Sequence, residues 1–193
     1  IINLIIILSF IVHLASINFF PTNFEGGYGA YANFFHSDNK LVYLKSYYFA
    51  QFNTYLFSLI ASFLNFLIPF LDGYQIVKIL SASSYFFLGF GILNLLKFFK
   101  YKYNKIIFLI LVLFNPIIWT YGYRAFNDLF AFSCAIYFFS RILLFYNSKP
   151  INLEGFFLGL AITLKIYNLI FLPIIYLIFF SFNKFKKFLD YKI

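Results

Sequence analysis

Few residues in this chain have side chains that do chemistry, and most stand alone. The sequence holds no phosphate-cradling Walker motif, no His/Cys cluster at zinc spacing and no nucleophile beside a base. One constellation remains: Glu25, the Arg124–Asp128 pair and Lys165, each in a polar break between apolar runs. Ionisable groups near membrane depth are costly and often functional. Each also has a plainer use. Glu25 could be a solvated loop acid. Arg124 and Asp128 are four apart, the spacing of an ion pair on a helix surface. Asp128 could also cap the helix that starts at Leu129, and Lys165 could snorkel to an interface.

The elements that must position these groups follow from composition. The chain has 193 residues, of which 63% are hydrophobic and 11% charged. Soluble domains average about 45–50% apolar and about 25% charged. With a mean hydropathy of +0.87, an ordinary soluble domain, a disordered chain and a disulfide scaffold are excluded. An integral membrane protein remains. One span needs about 20 apolar residues, so the length allows roughly six. The single cysteine, Cys134, excludes an intramolecular disulfide. The net charge of +9 comes from basic residues that flank apolar runs. That pattern fits orientation in a membrane better than nucleic-acid binding. The chain lacks Met and starts at Ile1 inside an apolar run, which implies a missing or processed N-terminus.

The first apolar run is Ile1 to Phe20, closed by Pro21 and a polar loop from Thr22 to Ser46. Tyr47 to Phe70 is apolar but holds Gln51, Asn53 and Asn65. Asp72-Gly73 is a turn signal. The next runs are Gln75 to Leu96, Ile106 to Trp119, Leu129 to Tyr146 and Leu153 to Phe182, the last interrupted at Lys165. These runs do not alternate, so they read as helices rather than barrel strands. Gly155 and Gly159 form a G-x-x-x-G, which predicts close helix approach.

Basic residues set the orientation. Lys97–Lys105, Arg141 with Lys149, and the tail from Asn183 are each placed in the cytoplasm. The run 153–182 must then cross twice, with its turn near Lys165. The alternative is one long helix kinked at Pro173. With the loop 21–46 outside and Lys97 inside, only one crossing fits between them, so the segment 47–70 becomes an interfacial or re-entrant helix, which its polar residues suit; the alternative is that 47–70 crosses and the loop 21–46 is cytoplasmic. Glu25, Arg124, Asp128 and Lys165 then fall on the extracytoplasmic side together.

Three stretches carry a resemblance. They are Phe24-Glu25-Gly26-Gly27-Tyr28 after the first span, Asn115 to Asp128 closing the third crossing, and Leu153 to Lys165 with Leu172-Pro173 beyond. In this order they resemble the GT-C superfamily of polytopic glycosyltransferases, which includes dolichyl-phosphate-mannose protein mannosyltransferases and aminoarabinose transferases. The resemblance implies an all-α polytopic membrane fold with about five or six transmembrane helices plus an interfacial helix. Residues 1–193 would form one transmembrane domain, the N-terminal part of a longer protein. The implied reaction moves a sugar from a polyprenyl-phosphate donor to a glycan, lipid or protein acceptor by an inverting single displacement. Glu25 would be the catalytic base. Arg124 and Lys165 would hold the donor phosphate, and Asp128 with Asp38 would orient or contact the acceptor. Many relatives carry an acidic pair in the first outer loop, some with a divalent metal; Glu25 stands alone, so no metal or other cofactor is expected. The implied location is a bacterial inner membrane, or the endoplasmic reticulum membrane in a eukaryote. A polytopic transporter or lipid-carrier flippase is the rival reading, and a non-enzymatic assembly subunit the third.

Overall fold

A computed structural model describes residues 1–15, 17, 55–101, 104–123, 127–145 and 152–181. Among them every regular element is helical. In chain order these are α1 (Ile2–Leu14), α2 (Tyr55–Leu67), α3 (Gly73–Phe98), α4 (Lys105–Leu113), α5 (Pro116–Tyr123), α6 (Asn127–Phe145) and α7 (Asn152–Leu164). A 3-10 helix, Ile166–Ile170, leads directly into α8 (Phe171–Ser181).

Local chemistry fixes the boundaries. Asp72 starts α3 with a capping box: its carboxylate accepts from Gln75 N at 2.7 Å, and Gln75 Oε1 accepts from Asp72 N at 3.1 Å. The same helix ends in a Schellman motif, with Tyr101 N donating to Leu96 O and Lys100 in the left-handed region at φ 52. The predicted run 106–119 is two helices. Pro116 lacks the N–H that a continuous helix needs, and Asn115 caps α5 by accepting from Ile117 N at 2.9 Å.

Side-chain pairs give the directions. Ile6 lies against Gly89, Phe10 against Phe86 and His13 against Tyr85, so α1 runs antiparallel to α3. Phe87 meets Phe130, and Asn94 donates to Ser140, so α6 runs parallel to α3. Arg141–Glu154 and the stacked Phe138–Phe157 rings make α7 antiparallel to α6. At Lys165 the backbone becomes extended (φ −154, ψ 124). Asn168 then bonds Ala131 and Phe171 packs on Phe139, so the chain turns back along α6. The hairpin expected at Lys165 is therefore present. The break falls there and not at Pro173, which sits in the first turn of α8, where a missing N–H is harmless.

One end of the bundle thus holds Lys97, Lys100 and Lys105, and the other holds Asp72; Asp128, at the start of α6, and Lys165 beside it lie level with the middle of α3. Among the described residues two helices are long and apolar enough to cross a membrane, Gly73–Phe98 and Asp128–Phe145; Ile2–Leu14, Leu153–Leu164 and Asn168–Leu177 are shorter and apolar. Large apolar side chains face outward, including Leu4, Leu8, Phe63, Leu111, Ile117, Phe156 and Leu177. A face this apolar must be covered by lipid or protein. The core lies between α2, α3, α6, α7 and α8, with a second cluster where α1 and α4 meet α3.

Two expectations change. The polar residues of α2 were expected to face an interface, yet Asn65 and Ser62 are buried in the bundle while Phe63 and Phe66 are exposed; Gln51 and Asn53 lie outside the described residues. Close approach was expected at Gly155 and Gly159, but a Cβ added at either meets nothing within 4 Å among the described residues. The tight crossing is at α3: a Cβ at Gly91 would stand 3.1 Å from the Tyr137 backbone.

Candidate functional site

Asp128 lies in the first turn of α6 and Lys165 at the break after α7. The hairpin brings them together, with Lys165 Nζ 3.3 Å from Asp128 Oδ1. Their side chains are 19% and 34% exposed, so water screens the pair and its net contribution to stability is small, about 0–1 kcal/mol. Its position is fixed by a neighbour. Asn168 is fully buried, and its Nδ2 donates to the Ala161 carbonyl at 2.9 Å and the Ala131 carbonyl at 3.2 Å. One amide therefore ties α6 and α7 to the turn that carries Lys165. The burial of Asn168 was not legible in the sequence, because the turn after Lys165 is packed inside the helices.

Beside the ion pair, between α5 and α6, is a cavity of about 320 Å³. Ile117, Ile118, Tyr121, Leu129 and Phe132 form its apolar lining, and Asp128 supplies its charge. Below it lies a buried polar network. His13 Nδ1 donates to the Ser9 carbonyl at 2.7 Å, and the Tyr85 hydroxyl lies 2.8 Å from His13 Nε2 and 3.1 Å from the Ile118 carbonyl. Trp119 packs edge-on against His13. His13 is thus a buried polar group inside the bundle, linked through Tyr85 to the backbone of the cavity wall.

The sequence reading passed over Lys78. It is buried on α3, 4% exposed, with its ammonium 5.4 Å from the centre of the Tyr74 ring. A lysine within an apolar run was the available signal. At the opposite end, Arg141 was read as a cytoplasmic orientation charge. Its Nη2 and Nε also donate to Glu154 Oε1 at 2.8 and 3.2 Å, so it clasps α6 to α7.

Of the predicted site residues, Asp128 and Lys165 are brought together. Glu25, Asp38 and Arg124 lie outside the described residues. Among the described residues no group of three or more His, Cys, Asp or Glu side chains could hold a metal ion.

Comparison with protein families, curated proteins and solved structures found no match.

Proposed function

We propose that the chain is part of an integral-membrane glycosyltransferase of GT-C type, which moves a sugar from a polyprenyl-phosphate donor to an acceptor on the extracytoplasmic side. The observation that carries this reading is the Lys165–Asp128 pair, set apart along the bundle from the end that holds Lys97, Lys100 and Lys105. Positive-inside orientation puts those lysines in the cytoplasm, and so puts the pair toward the outer face. The phosphate leaving group is a stable anion and needs cations rather than a general acid. Lys165 supplies one charge and Arg124 a second, bidentate one. Glu25 takes the acceptor proton. Asp128 holds Lys165 in place, and Asp38 contacts the acceptor. A bacterial inner membrane is the proposed location.

The test is sugar transfer by the purified protein in proteoliposomes, with polyprenyl-phosphate hexoses as donors. Transfer that is abolished by Glu25→Gln and lowered about 10²-fold by Lys165→Ala is expected. No transfer from any such donor would overturn the reading.

One observation favours the transporter reading. Phe87 meets Phe130 near the start of α6, so the ion pair is level with the middle of α3 rather than its end. A transporter places its charges near the midplane. Counterflow of polyprenyl-phosphate sugar into sealed vesicles, without sugar transfer, would select that reading.

A further inference from the structure

The corner between α3 and α4 carries lysines at two positions where a lysine works against the local structure. Lys100 follows the end of α3 at φ 52, and among the described residues no other non-glycine lies in the left-handed region. Glycine is the usual residue there, because a Cβ is strained in that conformation. Lys105 is the first residue of α4, where the positive end of the helix dipole disfavours a cation. Lys97, in the last turn of α3, completes the set. Lys97 and Lys100 are exposed and Lys105 is half-buried. Among the described residues no carboxylate pairs with any of the three, whereas Arg141 at the same end is matched by Glu154. Lys102 lies outside the described residues and is not counted. Orientation by positive charge needs cations only within about 15–20 residues of a span, so it does not require the two costly positions. Local rules are broken most often where function demands it.

The surface beside these charges is apolar. Phe99 is 61% exposed, and α4 turns Ile107, Ile110 and Leu111 outward. The Tyr101 ring packs on Phe108 at 5.8 Å, which seats the first turn of α4 against the end of α3. The amides at the start of α4 are taken: Asn104 Oδ1 accepts from Ile106 N at 3.0 Å and Ile107 N at 3.4 Å. An anion here is therefore met by ammonium groups rather than by Ile106 or Ile107 N–H. A ligand that fits both surfaces has a phosphate at one end and alkyl chains leading away from it. A nucleic acid or an acidic peptide would satisfy the lysines and leave the apolar face bare.

We propose that the α3–α4 corner is a docking site for an anionic phospholipid. Its headgroup meets Lys97, Lys100 and Lys105, and its acyl chains lie along the outer face of α4. The site stands whether or not the protein transfers sugar.

Native mass spectrometry of the detergent-solubilised protein counts bound lipid as dioleoylphosphatidylglycerol or dioleoylphosphatidylcholine is added. Phosphatidylglycerol binds at least about tenfold more tightly than phosphatidylcholine. Lys97→Gln, Lys100→Gln and Lys105→Gln each weaken phosphatidylglycerol binding about fivefold and leave phosphatidylcholine unchanged. Lys100→Gly separates charge from backbone. It fits the left-handed turn better, so its unfolding midpoint in phosphatidylcholine nanodiscs rises, while phosphatidylglycerol binding falls as in Lys100→Gln. Inorganic phosphate at millimolar concentration leaves the lipid bound. Equal binding of the two lipids would overturn the proposal. So would a preference that survives all three Gln substitutions together, unchanged binding by Lys100→Gly, or displacement by inorganic phosphate, which would mean a site for the free anion.

Discussion

The side-chain amide of Asn168 donates to the Ala131 carbonyl, 3.2 Å away on another helix. Asn168 also bonds Ala161, while its Oδ1 has no partner among the described residues. Replacement by Ala loses two hydrogen bonds, each worth about 0.5–1.5 kcal/mol net, but also removes one unsatisfied oxygen. The expected loss is therefore modest, about 1 kcal/mol. Asn168→Asp does worse than Asn168→Ala, because a carboxylate then faces two carbonyl oxygens with no hydrogen to share. Thermal unfolding in nanodiscs checks the order. A less stable Ala variant than Asp variant would show that the amide is not the tie.

Glycines give a second contrast. At Gly91 a Cβ would stand 2.8 Å from Ile136 Cγ2 and 3.1 Å from Tyr137 N and Cα. Backbone on the other helix cannot step aside cheaply, so Gly91→Ala costs about 1–3 kcal/mol. Among the described residues nothing comes within 4 Å of a Cβ at Gly159. Gly159→Ala keeps or raises stability by up to about 1 kcal/mol, the helix-propensity difference. Midpoints of thermal unfolding for the two variants should therefore move in opposite directions or, at the least, differ.

These cases show what the sequence carried. Apolar runs and their punctuation are one-dimensional, so the helices, the Asp72 turn and the reversal at Lys165 were legible. The capping box at Asp72 and the extended Lys165 backbone are local events that residue types announce. Which glycine is crowded depends on what crosses it, and G-x-x-x-G spacing carries no such information. The same holds for Arg141: its charge was visible, but its partner Glu154 is supplied by the neighbouring helix. Lys165 and Asp128 were placed together because the orientation rule acts on whole segments. The split of the run 106–119 at Pro116 and the burial of Asn65 and Asn168 needed the packed bundle.

The Arg141–Glu154 clasp is testable by exchange. Both guanidinium contacts fall on one oxygen, Glu154 Oε1, and the guanidinium also lies 5.0 Å from the centre of the Phe145 ring. Glu154→Gln leaves an arginine with a weaker acceptor; with Arg141 a third exposed, the cost is about 1 kcal/mol. The exchange of Arg141→Glu with Glu154→Arg recovers part of that loss, since the two charges meet again. A double-mutant cycle on unfolding midpoints measures the coupling; no coupling would mean that the contact is incidental.

The sharpest separation of stability from function lies at Lys165. Its pair with Asp128 is partly exposed, so Lys165→Ala changes unfolding free energy by less than about 1 kcal/mol. On the proposed glycosyltransferase reading, its effect on chemistry differs in kind. A cation placed where negative charge develops on a leaving phosphate is worth about 10²-fold or more in rate. Lys165→Ala should therefore remain folded, with a nearly unchanged unfolding midpoint, while sugar transfer falls by about that factor. Lys165→Arg keeps the charge and recovers part of the rate. The charge exchange of Lys165→Asp with Asp128→Lys restores the ion pair but moves the cation to the cavity wall, so it rescues stability without restoring transfer. A full return of activity in the exchanged variant would mean that the pair acts only as a structural tie between α6 and the turn after α7.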